Sequence, residues 1–378
     1  MKYYVIAGEA SGDLYGANLV KEIKKKDQNA EIRAWGGDLM HSEGVELVKH
    51  YKTHNYMGFL EVVLNLKTIL NNIKFCKEDV KGFNPDALIL IDFPGFNMRI
   101  AKFFYKSKFP ILYYIAPQAW AWREKRVKAI SKYVTQLYVI LPFEKEFFKK
   151  HGIATKYFGH PLLEHVNNFK KNKGISKEEF FKKNNLDINK PIISLIPGSR
   201  KQEVIKKLPI MVGAAASLCN EYNIVVAGMK NLRDQYNIHI NKSLINVIYD
   251  DTYNLLNNSK IALVTSGTAT LETAFFEVPQ VVCYKTSWIS YRIAKYFIRV
   301  KFISLVNLIL NKKSVNELIQ SDLNTLSLTK ELHKLKNLDY QKKIKSDYFN
   351  LNNKCLGENV SKNIANSMLK TIKAVSYT

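Results

Sequence analysis

Four short runs place reactive or ligand-holding residues at the ends of apolar stretches, where parallel α/β proteins carry out their chemistry. In "LILIDFPGFN" (88–97), Asp92 closes a buried-looking apolar run and is followed by proline and glycine. A carboxylate at such a strand tip can take a proton as a general base, or it can cap the turn into the next helix. In "SLIPGSRKQEV" (194–204), a proline–glycine turn precedes a helix start at which Ser199 and Gln202 have capping-box spacing. Arg200 in that first turn opposes the helix macrodipole unless an anion occupies the spot. Its guanidinium and the free backbone N–H groups would then converge on a phosphate. "IALVTSGTATLE" (261–272) repeats the device. Ser266, Gly267 and Thr268 form a hydroxyl-rich turn suited to a diphosphate, and Glu272, one helical turn beyond Thr268 on the same face, can accept from ribose hydroxyls. The fourth run, "YVIAGEASGDLYG" (4–16), spaces Gly8, Gly12 and Gly16 by four and loads the turn with Glu9 and Asp13, beside Ser11. So much negative charge at a helix N-terminus leaves its ligand an open question.

Other chemistries lose ground by what is missing. No two glycines are spaced G-x-G, no G-K-[ST] occurs and no D-x-D pair exists, which argues against dinucleotide redox chemistry, a P-loop and a metal-clamped diphosphate. The four cysteines lie far apart, with no C-x-x-C, so neither a zinc site nor a disulfide framework is expected. Near the end of the strand "PILYYI", Trp120, Trp122 and Arg123 read partly as core and partly as a surface for sugar or phosphate. "NYMGFLEVVLNL" (55–66), which includes Met57, is core or an exposed apolar patch suited to lipid. "HPLLEH" (160–165) has one residue too many between His160 and Glu164 for zinc-protease spacing and reads as an interdomain hinge.

The elements that position these residues alternate along 378 residues. Runs that are apolar throughout ("KYYVIA", "EIRAW", "DALILID", "PILYYI", "QLYVIL", "TKYFG") lie between amphipathic stretches such as 16–26, 59–81 and 97–107. That pattern calls for a parallel sheet covered on both faces. A first α/β domain spans 1–166, and the lysine- and asparagine-rich 167–190 reads as a linker region. A second domain follows to 339, through "PIISLIPG", "YNIVVAG", "LINVIY", "KIALVTSG" and "PQVVCY". Only helical patterns remain after about 310, and the helices of 340–378 are expected to complete the first domain. Two doubly wound parallel sheets facing a central cleft are the expected architecture. The chain enters a strand at once, without a signal-peptide pattern, and has no apolar run of bilayer-crossing length, so a reducing cytoplasm is the expected setting. The net charge of +24 reads either as lysine-rich solvated loops or as attraction to anionic partners, nucleic acid and acidic lipid both being candidates. No recognised nucleic-acid module accompanies it, so nucleic acid is not expected as a partner.

Taken in order, "AGEASGD", "IDFPGFN", "WAWREKRV", "LPFEKEFF", "FGHPLLE", "PGSRKQEV", "SGTATLE" and "SLVNLIL" resemble the lipid-A-disaccharide synthase family, nearly end to end. The resemblance implies an α/β GT-B fold of two Rossmann-like domains. The implied activity is an inverting transfer that joins UDP-2,3-diacylglucosamine to 2,3-diacylglucosamine 1-phosphate, giving UDP and a β-1,6-linked disaccharide, without metal or other cofactor. By the same resemblance Asp92 is the base that takes the acceptor 6-hydroxyl proton, and Arg200 with the 266–268 turn stabilises the departing diphosphate. Ser199, Glu203, Glu272 and Asn307 would lie at the UDP. Gly8, Glu9, Ser11, Gly12, Asp13, Met57, Asn97, Trp122 and Arg123 would line the acceptor side, with acyl chains toward 55–66. Some members carry a second aspartate where Gly95 stands here, which leaves Asp92 the stronger candidate. The implied setting is the cytoplasmic face of the inner membrane, peripherally bound; oligomeric state stays open. A UDP-N-acetylglucosamine 2-epimerase, or another GT-B enzyme, is the alternative, because its nucleotide half would look alike.

Overall fold

A computed structural model describes residues 1–53, 65–122, 126–172, 174–240, 244–287, 291 and 301–376, with the side chains of 121, 122, 239 and 376 left out. The expectations for Met57, for most of the 55–66 patch, for Arg123 and for the Trp122 side chain lie outside the described residues. The described residues form two compact units, one built on Met1–Pro161 and the C-terminal segment from Gly357, the other on the chain between them.

The first unit runs β1 (Lys2–Ala7), α1 (Ala10–Lys24), β2 (Glu31–Gly36), α2 (Asp38–Ser42), β3 (Glu46–His50), α3 (Leu66–Phe83), β4 (Ala87–Ile91), α4 (Pro94–Phe104), β5 (Ile111–Tyr114), α5 (Ala119–Trp122), α6 (Arg126–Tyr133), β6 (Gln136–Tyr138), α7 (Glu144–Lys150) and β7 (Thr155–Lys156). Among the described residues its strands are all parallel, in the order β3-β2-β1-β4-β5-β6-β7. The order reverses between β1 and β4, and the register sets Ala7 opposite Ile91. Gly8–Glu9 and Asp92 therefore leave the sheet side by side at the point where such folds open a crevice. β1 is buried from Tyr3 to Ala7 and β4 throughout, as sheets covered on both faces require.

The second unit contains α8 (Pro161–Asn172), α9 (Lys177–Lys183), β8 (Ile192–Ile196), α10 (Lys201–Ala215), β9 (Asn223–Gly228), α11 (Arg233–His239), β10 (Ile245–Tyr249), α12 (Thr252–Asn257), β11 (Ser259–Thr265), α13 (Thr268–Phe275), β12 (Gln280–Tyr284), α14 (Leu305–Leu310), β13 (Asn316–Ile319), α15 (Thr325–Leu335) and α16 (Leu338–Cys355). The described strands are again parallel, ordered β10-β9-β8-β11-β12-β13, with the reversal between β8 and β11. Register Ile196↔Val264 brings the turn after Ile196 beside Thr265 and the turn that follows it. α17 (Val360–Ser376) returns to the first unit and packs on α1.

Three expectations need correction. Residues 167–190 do not form a linker: half of α8 and all of α9 lie there, and Phe180 and Phe181 are buried in the second unit. A strand follows residue 310, since β13 pairs with β12. Of the helices in 340–378, only α17 joins the first unit. α16 stays on the second, where Tyr348 accepts from Gln280 at 3.0 Å and Asp347 pairs with Lys312.

Candidate active site

In the first unit, Asp92 and Phe93 both adopt left-handed backbone, with φ of 46° and 49°, immediately before Pro94 opens α4. Two consecutive non-glycine residues in that region are costly and persist only where the surroundings hold them. The Asp92 carbonyl accepts from the Tyr113 hydroxyl at 2.6 Å and from Asn97 Nδ2 at 2.8 Å, and its N–H donates to the Tyr114 carbonyl at 3.0 Å. Asn97 Nδ2 also reaches the carbonyls of Ile6 and Ile91, at 3.3 and 3.2 Å. The Phe93 ring lies against Gly8 so closely that a Cβ there would stand 2.3 Å from it. Gly8 is therefore needed for close approach, and its neighbour in space is the residue that aims Asp92.

The Asp92 carboxyl is pushed up to about 7, chiefly by burial and next by the Glu9 charge; Glu144 adds to the shift. Glu144 is itself buried at the start of α7. It accepts from the N–H groups of Ile140 and Leu141 at 3.2 and 3.0 Å and from Trp120 Nε1 at 3.0 Å, and burial raises it to about 7 as well. A proton acceptor poised near neutral pH, surrounded by like charges, suits general-base catalysis. The sequence reading passed over Tyr113 and Glu144. Glu144 opens α7, well beyond the end of β6, so no strand-end position marks it in the sequence.

Two residues expected at the acceptor have inward roles instead. Asp13 is 2% exposed, and its carboxylate accepts from the N–H groups of Gly37 (2.8 Å), Leu39 (3.0 Å) and Met40 (3.1 Å), which caps α2. Asn97 is fully buried, and its Nδ2 is held by the three carbonyls described above. Gly12 packs under Ala7, whose Cβ would be 3.1 Å from an added one. Glu9 and Ser11 stay half-exposed at the start of α1. The negative charge of Asp13 thus belongs to a neighbouring helix, and that of Glu9 acts on Asp92.

In the second unit the two turns after β8 and β11 lie together. Arg200 is exposed and occupies the N-cap of α10 in place of Ser199, and its side chain makes no capping hydrogen bond, so the capping box expected from Ser199 and Gln202 is not centred there. Gly198 has φ of 117°, and the Glu203 carboxylate folds over it, 2.2 Å from where a Cβ would stand. Gly267, at φ 134°, is the N-cap of α13, and Thr268 is the first residue of that helix. Ser266 Oγ donates to the Ile303 carbonyl at 3.2 Å. Half-buried Glu272 accepts from the Tyr253 hydroxyl at 3.0 Å, and burial raises its carboxyl. Asn307, expected at the nucleotide, is instead fully buried. Its amide donates to the Val315 carbonyl and to Glu317, and its oxygen accepts from Ser314 and Val315 at 2.8 and 3.0 Å. Among the described residues no group of three or more His, Cys, Asp and Glu side chains could hold a metal ion.

Solved structures share this fold. The UDP-GlcNAc 2-epimerase from Neisseria meningitidis bound to UDP-GlcNAc matches with a TM-score of 0.68 at 14% identity, over 98% of this chain and 100% of that one. The glycotransferase of kitacinnamycin matches with a TM-score of 0.64 at 10% identity, over 98% of each chain. Such low identities establish the two-sheet, GT-B-like architecture and nothing beyond it. Sequence relatives are more informative. Lipid-A-disaccharide synthase 1 of Legionella pneumophila (strain Lens) is 34% identical over 340 residues, covering 88% of this chain and 87% of that protein. Lipid-A-disaccharide synthase of Coxiella burnetii (strain CbuK_Q154) is 34% identical over 337 residues and covers 88% of each. The lipid-A-disaccharide synthetase family matches residues 3–372, and the chain belongs to that family.

Proposed function

We propose that this glycosyltransferase of lipid A biosynthesis joins UDP-2,3-diacylglucosamine to 2,3-diacylglucosamine 1-phosphate by one in-line displacement, with Asp92 as the base. The observation that carries the reading is the Asp92 carboxyl, held at a sheet reversal and raised to about 7. It takes the proton from the acceptor 6-hydroxyl as that oxygen attacks the donor anomeric carbon, and a single attack inverts an α-linked donor to a β product. Arg200 and the 266–268 turn receive the diphosphate as its bond to the sugar breaks, with donors from a guanidinium, hydroxyls and backbone N–H groups. Ser199 lies in the same turn as Arg200. Glu272 accepts from the ribose, while Glu9 and Ser11 face the acceptor sugar. Charge stabilisation by these groups leaves no step that requires a metal.

Membrane contact is proposed for α3. Leu66, Leu70, Lys74, Lys77 and Lys81 follow spacings of four, four, three and four and so share one face. Leu66 and Leu70 are exposed, as is Phe103 of α4, over which Lys77 and Lys81 stand at 4.4 and 4.9 Å. Apolar side chains framed by lysines suit an anionic lipid surface, from which acylated substrates would be taken. No helix among the described residues is long and apolar enough to cross a membrane.

A mass-resolved assay with both lipid substrates, with and without EDTA, tests the reaction. Wild-type protein is expected to form the disaccharide 1-phosphate in both conditions, and Asp92→Asn to lose about 10²–10⁴-fold in turnover. Full activity in the variant would remove Asp92 from the role, and activity abolished by EDTA would restore a metal to the step.

A further inference from the structure

Lys207, in the second turn of the site helix α10, is 2% exposed, although it stands beside another lysine in the run "IKKL". Its Nζ donates to Thr265 Oγ1 and lies 3.5 Å from Glu203 Oε1. Those two partners belong to different turns. Thr265 is the last residue of β11 and carries Ser266–Gly267–Thr268, whereas Glu203 lies in the first turn of α10 and folds over Gly198. One buried ammonium thus connects the two loops that meet at the sheet reversal. Burial depresses its pKa first, the Glu203 carboxylate opposes that shift, and the Arg200 guanidinium adds to it.

A buried ammonium is costly unless compensated, and an apolar side chain of the same length would pack there without that cost. The compensation here comes from the Glu203 carboxylate and the Thr265 hydroxyl, one from each turn. A buried positive charge beneath two donor-rich turns is complementary to a bound diphosphate. We infer that Lys207 is a positioning residue for the diphosphate of the nucleotide donor, which holds the 197–203 and 265–268 turns at one spacing through Glu203 and Thr265 and lends its charge from below. This rests on the reading of those turns as the nucleotide site. Lys207 touches the two loops and reaches the ligand only through them and through its field.

The test compares ligands that differ in phosphate. Affinities of wild type, Lys207→Met and Thr265→Val for UDP and for uridine would be measured at one ionic strength, by titration calorimetry and by competition. Lys207→Met is expected to weaken UDP at least tenfold and leave uridine within twofold. Thr265→Val keeps the charge and loses the accepting hydroxyl, so about a threefold loss for UDP alone is expected. Unchanged UDP affinity in Lys207→Met, or an equal loss for both ligands, overturns the inference, the latter by showing general distortion. If Lys207→Met does not yield folded protein, Thr265→Val decides, and unchanged UDP affinity there is the overturning result. A wild-type protein that binds neither ligand sinks the nucleotide reading itself, and this inference with it.

Discussion

The charge state of one carboxyl governs the proposed chemistry at the residue scale. Asp92 can accept a proton only when ionised, and its pKa stands near 7, so kcat/KM is expected to rise with pH through about 7. Glu9 is the first electrostatic cause of that value after burial. Glu9→Gln removes a like charge, which favours ionisation of Asp92, and the acid limb of the pH–rate profile should move to lower pH. A limb that stays in place would mean that Glu9 has no electrostatic influence on the reaction. The strand-end placement of Asp92, Arg200 and Ser266–Thr268 was legible because each stands just past an apolar run, where a parallel sheet presents its loops. Asp13, Asn97 and Asn307 share those neighbourhoods but point inward, and a polar residue near a strand end carries no mark in sequence of which way it faces. Lys207 was illegible for the opposite reason, since a lysine beside another lysine reads as a solvated face.

Elements decide how firmly that carboxyl is held. Asp92 and Phe93 are fixed by β1, β4 and β5 together: Phe93 stacks on Gly8, and the hydroxyl of Tyr113 and the amide of Asn97 secure the intervening carbonyl. Gly8→Ala would drive a methyl into the Phe93 ring. A loss of about 1–3 kcal/mol in stability is expected from the overpacking, measurable by denaturant unfolding, together with a fall in kcat as Asp92 is displaced. Wild-type stability in that variant would show that the ring can move aside freely. The continuously apolar central strands were readable because both of their faces are buried. β3 and β13 were not, because each is a short edge strand that mixes charged or polar residues with few apolar ones. α9 escaped notice for a related reason: it buries little more than Phe180 and Phe181 beneath a surface of lysine and glutamate.

At the scale of the whole molecule, the charge of +24 and the Leu66–Lys81 face predict binding to anionic vesicles that weakens as salt rises. Co-sedimentation should show that loss, and Leu70→Ser with Lys77→Glu should lower binding at every salt concentration. Equal partition onto neutral vesicles would remove the electrostatic contribution. The strained, half-buried Asp92 bears on the molecule as a whole in another way. Its folded-state pKa of about 7 exceeds the ordinary carboxyl value of 3.8, so the folded form holds its proton more tightly and stability falls as pH rises from about 4 through about 7. Asn is at ease in left-handed backbone and has no charge to bury. Asp92→Asn should therefore melt above the wild type at pH 8, with the gap closing toward pH 4, as scanning calorimetry would show. The inactivated protein would then be the hardier one, a trade of robustness for turnover made at a single position. It would also be the form best suited to trapping donor and acceptor together, unreacted, on a protein that outlasts the experiment.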